Sequence, residues 1–158
     1  MGLLLRDAAR LLLAAFLGFA GLSHLFWARE TFQAQVPGWL PLETDLVVVA
    51  SGVVEIGLAL ALLVTMRRRP LVGWVVAAFF VAVFPGNVSQ YLEGADAFGL
   101  DSDGARLTRL FFQPLLIVWA LWCTGAWSWW LSARRGPGPR EPRATGPAAA
   151  PDRRAPRR

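Results

Sequence analysis

Four long apolar segments constrain the fold of this chain more than any other feature of its sequence. They cover about residues 8–27, 46–64, 71–91 and 110–131. Each is close to the roughly 20 residues that a helix needs to cross a hydrocarbon core about 30 Å thick. Their length, and the lack of alternating polar residues, favour helices over the strands of a barrel. We therefore predict an all-α fold in which residues 1–133 form a four-helix transmembrane bundle.

The third segment contains a proline, Pro85, which removes one hydrogen bond from a helix and bends it. Two short core helices broken at Pro85 would also fit the pattern. The segment is apolar on all sides, however, and charged residues make up only 17% of the chain, against about 25% in soluble domains. Both observations favour a single membrane-spanning helix that is kinked at Pro85.

Arginines and acidic residues alternate between the ends of the four segments. Arginines precede the first segment, separate the second from the third, and follow the fourth. The other two connections carry mainly acidic residues: Glu30, Glu43, Asp45, Glu93, Asp96, Asp101 and Asp103. Since positively charged loops stay on the cytoplasmic side, we expect a multi-pass protein of the bacterial cytoplasmic membrane with both termini cytoplasmic. The first segment also has the basic start of a signal peptide, but no typical cleavage site follows it.

The last part of the chain, residues 134–158, is a tail of arginine, proline, glycine and alanine. Its eight arginines against Glu141 and Asp152 give it a net charge of +6, which exceeds the +5 of the whole chain. A segment this polar and proline-rich does not order itself, so we predict a disordered cytoplasmic tail. It lacks the aromatic residues that interleave with basic ones in nucleic-acid-binding grooves, and we expect no nucleic-acid partner.

Polar side chains occur in every predicted span, where they are costly and therefore candidates for function. They are His24, Ser51, Glu55, Asn87, Gln90, Arg106, Arg109 and Gln113. At 1.5 Å per residue, Glu55 lies about 14 Å from the outer surface, and the others lie closer to that surface. The spacing therefore predicts a pocket in the outer half of the bundle, with Glu55 at its floor.

Such polar groups also join membrane helices through hydrogen bonds, which is the alternative interpretation of Asn87, Gln90 and Gln113. Glu55 is harder to explain in this way because it is ionisable and lies near the middle of the membrane. We expect it to face inward and to pair with Arg109 or, as a second choice, with His24.

Other kinds of chemistry are limited by what the sequence lacks. A single cysteine, Cys123, cannot form an intramolecular disulfide or a CxxC pair. One histidine and no close pair of carboxylates predict no metal site. The chain has no self-sufficient catalytic constellation, so electron transfer would need a bound cofactor or a partner.

Five stretches of the sequence together resemble the DoxX-like membrane proteins. They are AGLSHLFW in the first span, VPGWLP in the outer connection, SGVVEIGLAL in the second span, FPGNVSQY in the third and RLTRLFFQPLLIVWAL in the fourth. They are spread over about residues 16–121. The positions that match the family pattern are His24, Pro37, Pro41, Gly52, Glu55, Pro85, Asn87, Arg106 or Arg109, and Gln113. The family form of the third-span motif more often reads FPAN, so Gly86 is a departure that would loosen the kink.

The resemblance implies a four-helix membrane protein and, by analogy with some relatives, a link to quinone-dependent oxidation. On this basis we expect a redox-associated subunit that binds a quinone-like molecule in the outer-half pocket. Two alternatives stay open, a non-enzymatic scaffold or assembly factor and a small oligomeric transporter. The expected partners are the lipid bilayer, a redox or periplasmic protein, and further copies of the chain.

Overall fold

The structure, a computed structural model, describes residues 2–94 and 102–135. Within these ranges the chain forms six helices and no strand, which confirms the all-α prediction. The helices are α1 (Gly2–Leu25), α2 (Arg29–Gln33), α3 (Thr44–Val64), α4 (Arg69–Glu93), α5 (Asp103–Cys123) and α6 (Ala126–Arg134). The predicted disorder of the tail concerns residues that lie almost entirely outside the described ranges.

Side chains at the ends of α3 and α5 explain where these helices begin. The Glu43 carboxylate accepts hydrogen bonds from the backbone N–H groups of Asp45 and Leu46. The Ser102 hydroxyl accepts one from the backbone N–H of Ala105. Both caps satisfy donors of the first helical turn that have no partner within the helix.

Two helices, α3 and α4, are long and apolar enough to cross a membrane. A third crossing is added if α5 and α6 are counted together as one bent span. The α4 helix continues without a break through Pro85, so the alternative of two short helices broken at this proline is wrong. The size of any bend at Pro85 stays a prediction.

The predicted fourth span, residues 110–131, is not one continuous helix but covers parts of two, and a single span here stays a prediction. The α5 helix begins earlier, at Asp103, and ends at Cys123, while α6 starts at Ala126 at an angle of 67°. Gly125 lies between them with φ of 74°. A left-handed residue ends the regular helical hydrogen bonding, and glycine adopts this conformation without strain.

The helices pack mainly in two pairs, α1 against α3 and α4 against α5. Two glycines allow α1 and α3 to come into backbone contact. A Cβ atom added to Gly21 would lie 2.6 Å from the Gly52 carbonyl oxygen, and one added to Gly52 would lie 2.9 Å from the Gly21 carbonyl oxygen. This contact fixes the end of α1 that carries His24 against the part of α3 that carries Ser51 and Glu55.

At the end of the bundle away from His24, two arginines join neighbouring helices. The buried Arg10 guanidinium donates to the carbonyl oxygen of Leu62, in the last turn of α3. Arg69 at the start of α4 forms an ion pair with Asp7 of α1 at 2.8 Å. Arg10 therefore binds a carbonyl that has no partner within its own helix, and the arginine-rich end of the molecule is tied together.

Candidate functional site

A cavity of about 690 Å³ lies between helices α1 to α5. Its volume is typical of small-molecule sites, which are largely apolar with a few polar groups. Apolar residues such as Phe16, Phe80 and Leu116 form much of its wall. Six of the eight predicted site residues line it: His24, Ser51, Glu55, Asn87, Arg109 and Gln113. Gln90 and Arg106 are also buried but do not line the cavity.

On the α1–α3 side, Ser51 fixes the orientation and the tautomer of His24. The Nδ1 atom of His24 lies 2.8 Å from the Ser51 hydroxyl oxygen and 3.3 Å from the Val48 carbonyl oxygen. The Ser51 hydroxyl itself donates to the Val48 carbonyl at 2.9 Å. Because its hydrogen is used there, the hydroxyl must accept from His24, and so Nδ1 carries a hydrogen. In a neutral ring Nε2 is then the acceptor.

The Nε2 atom of His24 faces the carboxyl group of Glu55, with 3.8 Å between Nε2 and Oε2. Glu55 is buried, and its Oε2 atom has no hydrogen-bond partner among the described residues. The two buried groups therefore lie within ion-pair distance of each other, at a separation too long for a direct hydrogen bond.

Glu55 therefore lies beside His24, which the sequence analysis named as its second choice of partner. Arg109, the first choice, lines the same cavity, but the ion-pair contact of Glu55 within the described residues is with His24. Of the two neighbouring arginines, Arg109 lines the cavity and Arg106 does not.

On the α4–α5 side, Asn87 and Gln113 bind each other. The Asn87 amide donates to the Gln113 side-chain oxygen at 3.0 Å, and the Gln113 amide nitrogen donates to the Phe80 carbonyl at 2.7 Å. Gln113 therefore uses both ends of its amide group to join the two helices. This arrangement favours the structural interpretation of Gln113.

The connection between α1 and α3 forms one side of the cavity, a contribution that the sequence analysis missed. Phe32, Gln35 and Trp39 of this connection all line it. The Phe32 ring lies against the imidazole of His24, with 3.5 Å between ring centroids. The sequence signal for this contribution is the apolar and aromatic character of the connection. Such residues are unusual in a fully solvated loop and indicate that part of the connection is buried.

Gly86, interpreted from the sequence as loosening the kink at Pro85, also has a packing role in the structure. A Cβ atom at Gly86 would lie 2.6 Å from the carbonyl oxygen of Gln35. The missing side chain therefore lets the α1–α3 connection pack directly on α4. Gly86 determines where Gln35 sits relative to the cavity.

The fold and the cavity define a class: an all-α chain with helices able to cross a membrane and a largely apolar binding cavity between two helix pairs. The sequence matches the family described as a domain of unknown function, DUF8561, over residues 13–124. The match covers most of the chain, including the cavity, and the chain belongs to this family. Comparison with curated proteins and with solved structures gives no match.

Proposed function

We propose that the chain is an integral membrane protein that binds a quinone-like molecule in the cavity, as a redox-associated membrane subunit similar to the DoxX-like proteins. The observation that carries this proposal is the buried His24–Glu55 pair, two ionisable groups 3.8 Å apart at the wall of a largely apolar cavity. Quinones are amphipathic and exchange protons when they are reduced, so such a pair suits them better than it suits a purely apolar lipid.

The proposed membrane arrangement has four spans, α1, α3, α4 and the α5–α6 pair. Large apolar side chains on the outside of the long helices support it, because a soluble protein rarely exposes many of them together. Examples are Phe19 on α1, Val53 on α3, Val81 on α4 and Phe111 on α5, each more than half exposed. The arginine-rich end then faces the cytoplasm, and the cavity lies in the outer half.

Cysteine labelling tests this orientation. In a chain whose native Cys123 is replaced by Ser, a membrane-impermeant thiol reagent added to intact cells should label Ser102→Cys. The same reagent should not label Ala148→Cys in the tail until the cells are opened. Labelling of Ala148→Cys in intact cells would contradict the arrangement.

The residues present fit a quinone. The cavity volume suits a ring with the start of an isoprenoid chain, and the lining combines aromatic walls with polar groups at a few points. His24 and Glu55 would hold an oxygen of the ring, while Phe16 and Leu116 would contact the apolar part. A bound quinone supplies two-electron redox chemistry that no side chain of this protein offers.

The contribution of the chain itself is to hold and move a proton. Ser51 keeps Nδ1 of His24 protonated, so the exchangeable proton is confined to Nε2 and the Glu55 carboxyl. The lining of the cavity is largely apolar, and apolar surroundings strengthen electrostatic interactions. Arg109 also lines the cavity.

The second candidate is a scaffold or assembly factor without a ligand. The mutual hydrogen bonds of Asn87 and Gln113 favour it, because they join two helices and need no ligand. The two functions differ in a simple test. The detergent-solubilised protein should carry bound quinone if the first is correct, and quinone-free protein would favour the scaffold.

A further inference from the structure

Gln35, in the connection between α1 and α3, has a polar atom without a partner beside the cavity. Its side-chain nitrogen Nε2 is shielded from water and forms no hydrogen bond to the described residues. Gln35 nevertheless lines the cavity. A buried N–H group without an acceptor is costly, and such groups in native proteins call for an explanation.

Two backbone hydrogen bonds and one close contact hold the chain around Gln35 in place. The Gln35 backbone N–H donates to the Phe32 carbonyl at 3.0 Å, and the Val36 N–H donates to the Gln33 carbonyl at 3.1 Å. On the other side the Gln35 carbonyl packs against Gly86 of α4. The backbone thereby holds the Gln35 side chain at the cavity.

We propose that Gln35 determines ligand specificity by donating a hydrogen bond to an acceptor oxygen of the molecule in the cavity. This inference rests on the proposed function and extends it. The His24–Glu55 pair exchanges a proton with the ligand, while the Gln35 amide only donates to it. A carbonyl oxygen is the acceptor that fits this role, and an oxygen-free molecule of the same size gains nothing from it.

The test compares two probes, 2-decyl-1,4-benzoquinone and decylbenzene, which share the tail and the six-membered carbon ring but differ in the oxygens. Trp39 and Trp119 line the cavity, so quenching of tryptophan fluorescence measures quinone binding to the purified full chain. Decylbenzene is measured by competition. Gln35→Met keeps the length of the side chain and removes the amide. We expect it to weaken quinone binding roughly three- to tenfold and to leave decylbenzene binding unchanged.

The matched control is Gln33→Met, the same change two residues earlier, where the side chain donates to Asp45 at 3.3 Å and does not line the cavity. It should leave quinone affinity unchanged. Gly86→Ala, which displaces the Gln35 carbonyl, should weaken quinone binding as Gln35→Met does. Equal quinone affinities of wild type, Gln35→Met and Gln33→Met would overturn the inference.

The melting temperature of the ligand-free protein separates binding from structure. Because the amide has no partner within the described residues, Gln35→Met should leave the melting temperature unchanged or raise it. A clear fall would show that Gln35 has a structural role and would overturn the inference. If wild type itself binds decylbenzene as tightly as the quinone, the proposed function fails, and the specificity assigned to Gln35 fails with it.

Discussion

Removing either member of the His24–Glu55 pair should destabilise the protein strongly, and removing both should cost much less than the sum of the two single changes. His24→Phe leaves a buried carboxyl group without its partner, for which we expect a loss of about 3 kcal/mol. Glu55→Leu places an apolar side chain against the buried polar Nε2 atom of His24, and we expect a loss of about 1–3 kcal/mol. In the double variant neither polar group remains without its neighbour. Its loss of stability should therefore be smaller than the sum of the two single losses by at least about 1 kcal/mol.

The coupling is measured as the difference in free energy of unfolding across the four proteins in detergent. A second cycle, Glu55→Leu with Arg109→Gln, is the matched control, since Arg109 lines the same cavity while the ion-pair contact of Glu55 is with His24. Its coupling should be smaller. Additive effects in the His24 cycle, or a larger coupling with Arg109, would contradict the arrangement of the pair.

Gly52→Ala should destabilise the protein by about 3 kcal/mol, near the upper end for an overpacked site. A Cβ atom there would lie 2.8 Å from the Cβ atom of His24 and 2.9 Å from the Gly21 carbonyl oxygen. Backbone cannot move aside as the end of a flexible side chain can, so α1 must separate from α3.

Gly57→Ala is the matched control in the same helix. A Cβ atom at Gly57 meets nothing within 4 Å, so the higher helix propensity of alanine should stabilise the protein by up to about 1 kcal/mol. Thermal or denaturant unfolding of the Gly52→Ala and Gly57→Ala variants measures both effects. Equal effects of the two changes would contradict the backbone contact between α1 and α3.

The helices with the clearest apolar signal were predicted closely from the sequence. The span predicted at 46–64 is α3 (Thr44–Val64), and the one predicted at 71–91 lies within α4 (Arg69–Glu93). The break after α5 was missed because hydropathy is averaged over many residues, whereas the break depends on one left-handed glycine, Gly125. Apolar residues continue on both sides of it.

For the cavity, the sequence indicates the polar residues within the spans but not the contacts between them. Ionisable residues within apolar spans stand out in a sequence because burying them in a membrane costs free energy. Glu55 and His24 can be found in this way. Their pairing was ranked second because sequence spacing does not give the distance between two helices. Gln35 was missed because it lies in a connection and is placed by a contact with Gly86. A contact between residues so far apart in the chain leaves no local signal in the sequence.

The central claim is that the cavity holds a quinone-like molecule at the His24–Glu55 pair. The most direct measurement is solvent extraction of the detergent-purified protein, followed by mass spectrometry of the lipid-soluble molecules. We expect wild type to retain about one quinone per chain, and the His24→Phe/Glu55→Leu variant to retain far less at equal protein concentration. A quinone content of wild type no higher than that of this variant would contradict the claim.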